Sequence, residues 1–220
     1  MSEAAFSAEP EAATKVARKG HTSARIARKK DQRREAILRA GSEVFAEMGY
    51  HRASLEEIAD RIDLTRAALY HYFPSKDALL SECLDYGAEQ AIARLSEVFD
   101  ATSELDADFR LAALVRTQLT FIASDSREIS RLFLNQMDWP ETFRSRVKAM
   151  RDRHDMFFRK VITDGIASGE FNCIDVEVAH HCLHGSMNYA PVWLRPQSKS
   201  LTRSINALVD SVLLLFHAPA

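Results

Sequence analysis

Ser54-Leu55-Glu56-Glu57-Ile58-Ala59-Asp60-Arg61-Ile62-Asp63-Leu64-Thr65-Arg66-Ala67-Ala68-Leu69-Tyr70-His71-Tyr72-Phe73-Pro74-Ser75-Lys76 reads as two short helices joined by a tight turn. Ser54 followed by Glu57 has the capping-box form, in which a hydroxyl and a carboxylate three residues apart satisfy free backbone amides at a helix start. Leu55, Ile58, Ala59 and Ile62 recur at helical spacing for barely two turns before Asp63 interrupts them. Thr65 is placed to cap a second short helix, with Leu64, Ala68 and Leu69 facing the first, and Pro74-Ser75 ends it. An apolar scaffold with polar residues left over on the second helix is the helix-turn-helix arrangement, in which one helix braces the other so that it can enter the DNA major groove.

Working outward, Ile37, Gly41, Val44, Phe45 and Met48 fall on one helical face upstream, with Gly49 as a C-terminal cap and order beginning near Lys30. Residues 1–28 carry Ala, Glu, Ser and Lys without apolar periodicity and are expected to be a disordered basic arm. Downstream, Leu79, Leu80, Cys83, Leu84, Ala91 and Leu95 trace an apolar stripe along a helix from about Lys76 to Phe99, long enough to join two domains. Further helices are expected near 107–124, 126–134, 141–168, 175–193 and 200–216, with Asp138-Trp139-Pro140 opening the helix over 141–168 and Gly169 closing it. The fold class is all-α, divided as a 1–28 arm, a 29–76 helix-turn-helix domain and a 77–220 ligand-binding and dimerisation domain.

Composition agrees and narrows the function. Seven Gly and six Pro among 220 residues are few for a many-turned sheet protein. Three cysteines without a CxxC pair indicate neither a disulfide framework nor a thiolate zinc site, and a reducing cytoplasm suits them. No stretch approaches the roughly 20 apolar residues that span a bilayer, and the N-terminus lacks the apolar core of a secretion signal, so a cytoplasmic location without membrane contact is expected. Residues 1–34 hold nine basic against four acidic side chains, while the remainder holds 20 against 27. A basic end on an acidic body points to a polyanion partner at that end.

The stretch Thr65 to Leu79 closely resembles the recognition helix and following helix start of the tetracycline-repressor (TetR) family. Ala40, Val44-Phe45, Gly49-Tyr50 and Ser54 to Ala59 match the same pattern, so the resemblance covers residues 33 to about 80. One departure is Asp63, where the family commonly has Gly; if the turn needs positive φ, Asp accepts it better than most residues. The resemblance implies a homodimeric regulator, most simply a repressor, that reads a (pseudo)palindromic double-stranded DNA operator and releases it on binding a small apolar effector. Expected DNA contacts are Ser54, Thr65, Arg66, Tyr70, His71, Tyr72 and Lys76. Arg66 is the choice for base readout because a guanidinium matches the paired acceptors of guanine. Lys76 is expected to meet a phosphate at a helix start.

Leu201, Ile205, Leu208, Val209, Val212, Leu213 and Phe216 form a broad apolar face on the last helix, and Ala179, Cys182, Gly185, Ser186 and Ala190 offer close approach on its neighbour. By resemblance both serve a four-helix seam with a partner chain; burial within one subunit is the alternative. Phe121, Met137, Trp139, Phe143, Phe157, Tyr189 and Trp193 are the expected effector-pocket residues. The segment Asn188 to Pro196 resembles one found in relatives that control lipid or steroid breakdown, some of which sense acyl-CoA thioesters, so a lipid-catabolism metabolite is the effector class expected. His180 and His184 stand one turn apart, but no third ligand follows at a recognised spacing, and no metal or cofactor is expected. Two other classes compete: a non-specific DNA-packaging protein, and a small helical enzyme. The latter lacks a nucleophile elbow or oxyanion loop beside such pairs as His154-Asp155, and no catalytic residues are expected.

Overall fold

The computed structural model describes residues 10–123, 130, 132 and 140–217. Among these the chain is all-helical: α1 (Pro10–Arg52), α2 (Leu55–Asp60), α3 (Arg66–Tyr72), α4 (Lys76–Ala101), α5 (Ala107–Ala123), α6 (Glu141–Ser168), α7 (Val176–Trp193) and α8 (Leu201–Leu213), which runs into a 3-10 turn, Leu214–Phe216. The helix expected near 126–134, and with it Met137 and Trp139, lies outside the described residues apart from positions 130 and 132.

Most helix ends obey the chemistry read from the sequence. The hydroxyls of Ser54, Thr65 and Ser75 accept from the amides of Glu57, Ala68 and Ala78, and Asp175 accepts from Glu177 and Val178. Gly169 closes α6 in the left-handed conformation at φ 80°. Gly49, at φ 75° and ψ 165°, breaks the helical path of α1 one turn before its end. Asp63 sits at φ 51°, which the turn between α2 and α3 requires. The N-terminal arm departs from expectation, because α1 begins at Pro10 rather than near Lys30. Residues 11–30 are dominated by Ala, Lys and Arg, all good helix formers. Extending an anchored helix through them carries no nucleation cost, so the absence of an apolar stripe did not prevent order.

Two hydrophobic cores result. The first gathers Ile37, Val44 and Phe45 of α1, Leu55 and Ile58 of α2, and Leu69 and Phe73 around α3. It does not stop at residue 76: Leu79, Leu80, Cys83 and Leu84 of α4 complete it, together with Leu132 and Phe143, Val147 and Met150 of α6. The second core joins Leu95 of α4 to α5, the C-terminal half of α6, α7 and α8. Ile92 packs against both cores. All three cysteines are free thiols, and burial pushes the Cys83 thiol up to about 12.

Close packing at the far end rests on Gly165. A Cβ there would meet the Phe171 ring and lie 2.8 Å from the Ala107 Cβ, which leaves no room where α5, α6 and the chain after Gly169 converge. Gly165→Ala should therefore lower stability by about 1–3 kcal/mol through overpacking, read as a fall in denaturant midpoint at unchanged slope. At the turn, Asp63→Val should destabilise by about 1–2 kcal/mol because a branched Cβ opposes positive φ, whereas Asp63→Gly should not lower the midpoint.

Candidate nucleic-acid interface and effector cavity

The helix-turn-helix is fixed to α1 by charge as well as by its core. The Arg61 guanidinium reaches Glu47 at 2.7 Å, Glu57 at 3.4 Å and Glu43 at 3.5 Å, so one cation at the end of α2 holds two carboxylates of α1 in place. Its proton is bound more firmly than usual, chiefly through the hydrogen bond to Glu47. With α2 anchored this way, α3 presents Thr65, Arg66, Ala67, Tyr70 and His71 outward.

Arg66 is well exposed, and its guanidinium lies 2.6 Å from Glu56 and 5.4 Å from the centre of the Tyr70 ring. Both partners are themselves exposed, so this contact is exchangeable for DNA at small cost and keeps the side chain extended meanwhile. Tyr72 takes a different place from its neighbours: it is half-buried against the first core, so its ring serves packing. Ser54 is committed to its cap at 3.1 Å from the Glu57 amide.

Lys76 also departs from expectation. Its ammonium donates to the carbonyls of Tyr50 at 2.9 Å and Ala53 at 3.0 Å and stands 4.3 Å from the centre of the Tyr50 ring. The cation satisfies carbonyls at the end of α1 and makes a cation–π contact there. Beside it, the Tyr50 hydroxyl donates to Asp77, and that bond pushes the phenol up to about 12. These contacts clamp α1 to α4, an arrangement that the expectation of a phosphate contact did not include. Sequence spacing could not reveal this, since the carbonyls that accept from Lys76 are 26 and 23 residues away. The basic residues Arg25, Arg28, Lys29, Lys30 and Arg33 all lie exposed on α1.

Between the middle of α4 and helices α5, α6 and α7 lies a cavity of about 660 Å³, within the range of small-molecule sites. Ala91, Ile92 and Phe121 supply apolar lining, and Gln118, Asp155, Arg159 and His180 supply polar lining. Of the pocket residues expected from sequence, Phe121 lines this cavity. Phe143 is instead core beneath the DNA-binding unit, tilted against Tyr50 at 6.4 Å, and Phe157 is core against Phe99 at 5.5 Å. Tyr189 and Trp193 are exposed on the outer side of α7. Aromatic size alone did not separate pocket from core. A better signal was a polar residue inside an apolar stripe: Gln118 sits among Val115, Leu119 and Ile122, is buried, and has no hydrogen-bond partner for its Oε1.

The polar wall brings together groups that sequence order kept apart. Asp155 Oδ1 lies 2.7 Å from Nε2 of both His180 and His184, while Arg159 donates to Asp155 Oδ2 at 2.6 Å. Burial alone would raise the Asp155 carboxyl, but the neighbouring imidazoles and Arg159 outweigh it and hold it well below the usual carboxylate range. Burial pushes His154, the next residue, down to about 4. Asp155 of α6 thus joins the two histidines of α7 that the sequence placed one turn apart.

The last two helices divide their apolar residues. Ile205, Val209, Val212 and Phe216 are buried within the subunit, and so are Ala179 and Ala190. The expected small-residue face is therefore split. What remains outward on α7 is Val178, Cys182, Gly185, Tyr189 and Val192, an exposed stripe at spacings of four, three, four and three.

Comparison with known proteins places these features in context. Residues 37–83 match the family model "Bacterial regulatory proteins, tetR family", and residues 104–213 match "Tetracyclin repressor-like, C-terminal domain". The transcriptional activator FasR of Mycolicibacterium smegmatis is 35% identical over 106 residues, a match spanning 48% of this chain and 48% of that protein, so about half of each. The repressor KstR2 of Rhodococcus jostii is 29% identical over 175 residues, covering 76% of this chain and 82% of the relative. Among solved structures, that of AibR in complex with isovaleryl coenzyme A and operator DNA superposes with a TM-score of 0.70 at 22% identity, covering 84% of this chain and 98% of that one, a likeness of fold.

Arg66→Ala should cost about 1–3 kcal/mol in affinity for the preferred duplex and flatten discrimination between duplexes, with helicity and melting temperature unchanged because the side chain is exposed. Fluorescence anisotropy on preferred and scrambled duplexes measures it; equal loss on both would reassign Arg66 to backbone contact.

Proposed function

The chain belongs to the TetR family of bacterial regulatory proteins, and on that premise we propose that it is a homodimeric, ligand-responsive transcriptional repressor whose effector is an amphipathic acyl thioester or a related lipid-catabolism metabolite. One observation carries the reading: two of the helices that wall the cavity, α4 and α6, also build the core beneath α3. Gly87 to Ile92 of α4 line the cavity, and Leu79 to Leu84 of the same helix are core beneath α3. Met150 of α6 lines the cavity as well, and Val147 and Phe143, one and two turns earlier, pack into that core. Arg146 of α6 pairs with Asp85 of α4 between the two regions. An occupant that shifts α4 against α6 moves α3 with them.

A single α3 reads few bases, whereas two held in register read half-sites about 34 Å apart. The exposed stripe of α7, with exposed Ala207, Ser211 and Leu214 beside it on the last helix and its 3-10 extension, is the proposed seam with a second copy. A ligand that favours one separation of the two α3 helices over the other changes operator affinity by that difference. The polar lining suits the head of an amphipathic molecule and Ile92 and Phe121 its apolar tail, which agrees with the isovaleryl coenzyme A bound by AibR. No helix among the described residues is long and apolar enough to cross a membrane, and we assign the protein to the cytoplasm as a regulator rather than an enzyme.

The test is gel retardation on the DNA upstream of the chain's own coding region. The protein should retard that duplex and not a scrambled one of equal length, and micromolar acyl-CoA thioesters should release it while free coenzyme A should not. Equal retardation of both duplexes would point to a packaging protein, and retention under every thioester would remove this effector class. Because FasR is named an activator, a reporter gene behind the same DNA decides the sign: deletion of the regulator should raise expression.

A further inference from the structure

The side chains that face the cavity from α6 and α7 form a cluster whose polar atoms have too few partners. Asp155 Oδ1, His180 Nε2, His184 Nε2 and the nearby His154 Nε2 are all buried without a hydrogen bond. His180 is only 5% exposed, and its Nδ1 is unpartnered as well. The two Nε2 atoms approach Oδ1 to 2.7 Å, yet neither contact has hydrogen-bond direction. Several orphaned polar atoms around one point are costly unless something absent from the protein atoms satisfies them.

We propose that Asp155, His180 and His184 form a binding site for one divalent transition-metal cation in the wall of the cavity. The three candidate ligand atoms lie within 4.8 Å of one another. Tetrahedral ligands about 2.0–2.1 Å from a zinc ion stand about 3.3 Å apart, so opening each 2.7 Å contact by a few tenths of an ångström admits the ion. His180 and His184 lie one turn apart on α7 with ring centres 4.6 Å apart and planes tilted by 57°, and both Nε2 atoms converge on Asp155 Oδ1. Arg159 fixes the carboxylate through Oδ2 and leaves Oδ1 directed between the imidazoles, the kind of outer support that orients metal ligands. Two imidazoles and one carboxylate suit zinc, cobalt, nickel or ferrous iron rather than calcium or magnesium, which prefer all-oxygen sites. The ligands come from α6 and α7, so the ion ties the two helices together. Its remaining coordination positions face the cavity that all three residues line.

The dimeric full-length protein, treated with chelator, dialysed and titrated with Zn²⁺, should take up one equivalent per chain by calorimetry and elemental analysis. Co²⁺ should give the strong visible absorption of a four-coordinate nitrogen and oxygen site. Removing even the outer support of a metal ligand weakens binding about 10–100-fold, so His184→Gln and Asp155→Asn should each weaken Zn²⁺ binding by at least about tenfold. His217→Ala, at a histidine paired with Asp108 elsewhere, should leave it unchanged. Folded wild-type protein that takes up no Zn²⁺, or folded His184→Gln and Asp155→Asn variants that bind it as the wild type does, would overturn the proposal. Should those variants unfold, the wild-type stoichiometry and the Co²⁺ spectrum decide alone. The readout is metal content, so a negative result leaves the effector proposal standing, and failure of thioesters to release DNA leaves the metal site standing.

Discussion

The burial of α4 in two different cores is the constraint from which the rest of this structure follows. One end of the helix, Leu79 to Leu84, is sealed under α3, and the other, at Leu95, is sealed under α5 and α6. Interiors packed to crystal-like density transmit displacement rather than absorb it, so neither end can slide independently of its neighbours. The cavity opens between the two cores, beside the small residues Gly87, Ala88 and Ala91 of α4. Small side chains there leave the cavity its volume, while the large ones at either end keep the helix a rigid link.

The surface of α3 is organised on a different principle. Its outward side chains are exposed and held by weak, exchangeable contacts, Arg66 to Glu56 and Tyr70, whereas its foundations are held by contacts that are hard to exchange. Arg61 gathers three carboxylates, and Lys76 ties the end of α1 to the start of α4. Two long cations within the same small domain therefore do opposite work. Lys76 is spent on backbone carbonyls and rigidity, and Arg66 is left extended toward solvent, where a duplex would lie.

The cavity shows a comparable division. Its apolar side is continuous with ordinary core, while its polar side gathers Asp155, His180 and His184 from helices that approach each other there mainly through side chains. Charged and imidazole groups buried to this extent are expensive without partners. Their presence in a wall that could have been apolar marks this side as the place where ligand chemistry concentrates.

Much was legible in the sequence because it depends on local chemistry. The caps at Ser54 and Thr65, the closing Gly169, the positive φ of Asp63 and, to within a few residues, the bounds of α4 to α8 all follow from hydrogen bonds and sterics within a few residues. Even the exposed Arg66 and Tyr70 of α3 could be named, since the period of one short helix fixes its outward face. What remained for the tertiary structure was every property that joins distant segments. Whether Phe143, Phe157 or Phe121 faced core or cavity depended on which helix each side chain met, and only Phe121 met empty space. Lys76 turned inward because carbonyls from α1 came within reach, and His180 and His184 gained Asp155 from a helix that ends before theirs begins. Periodicity specifies which face of a helix is buried, but what that face is buried against is decided when the helices pack.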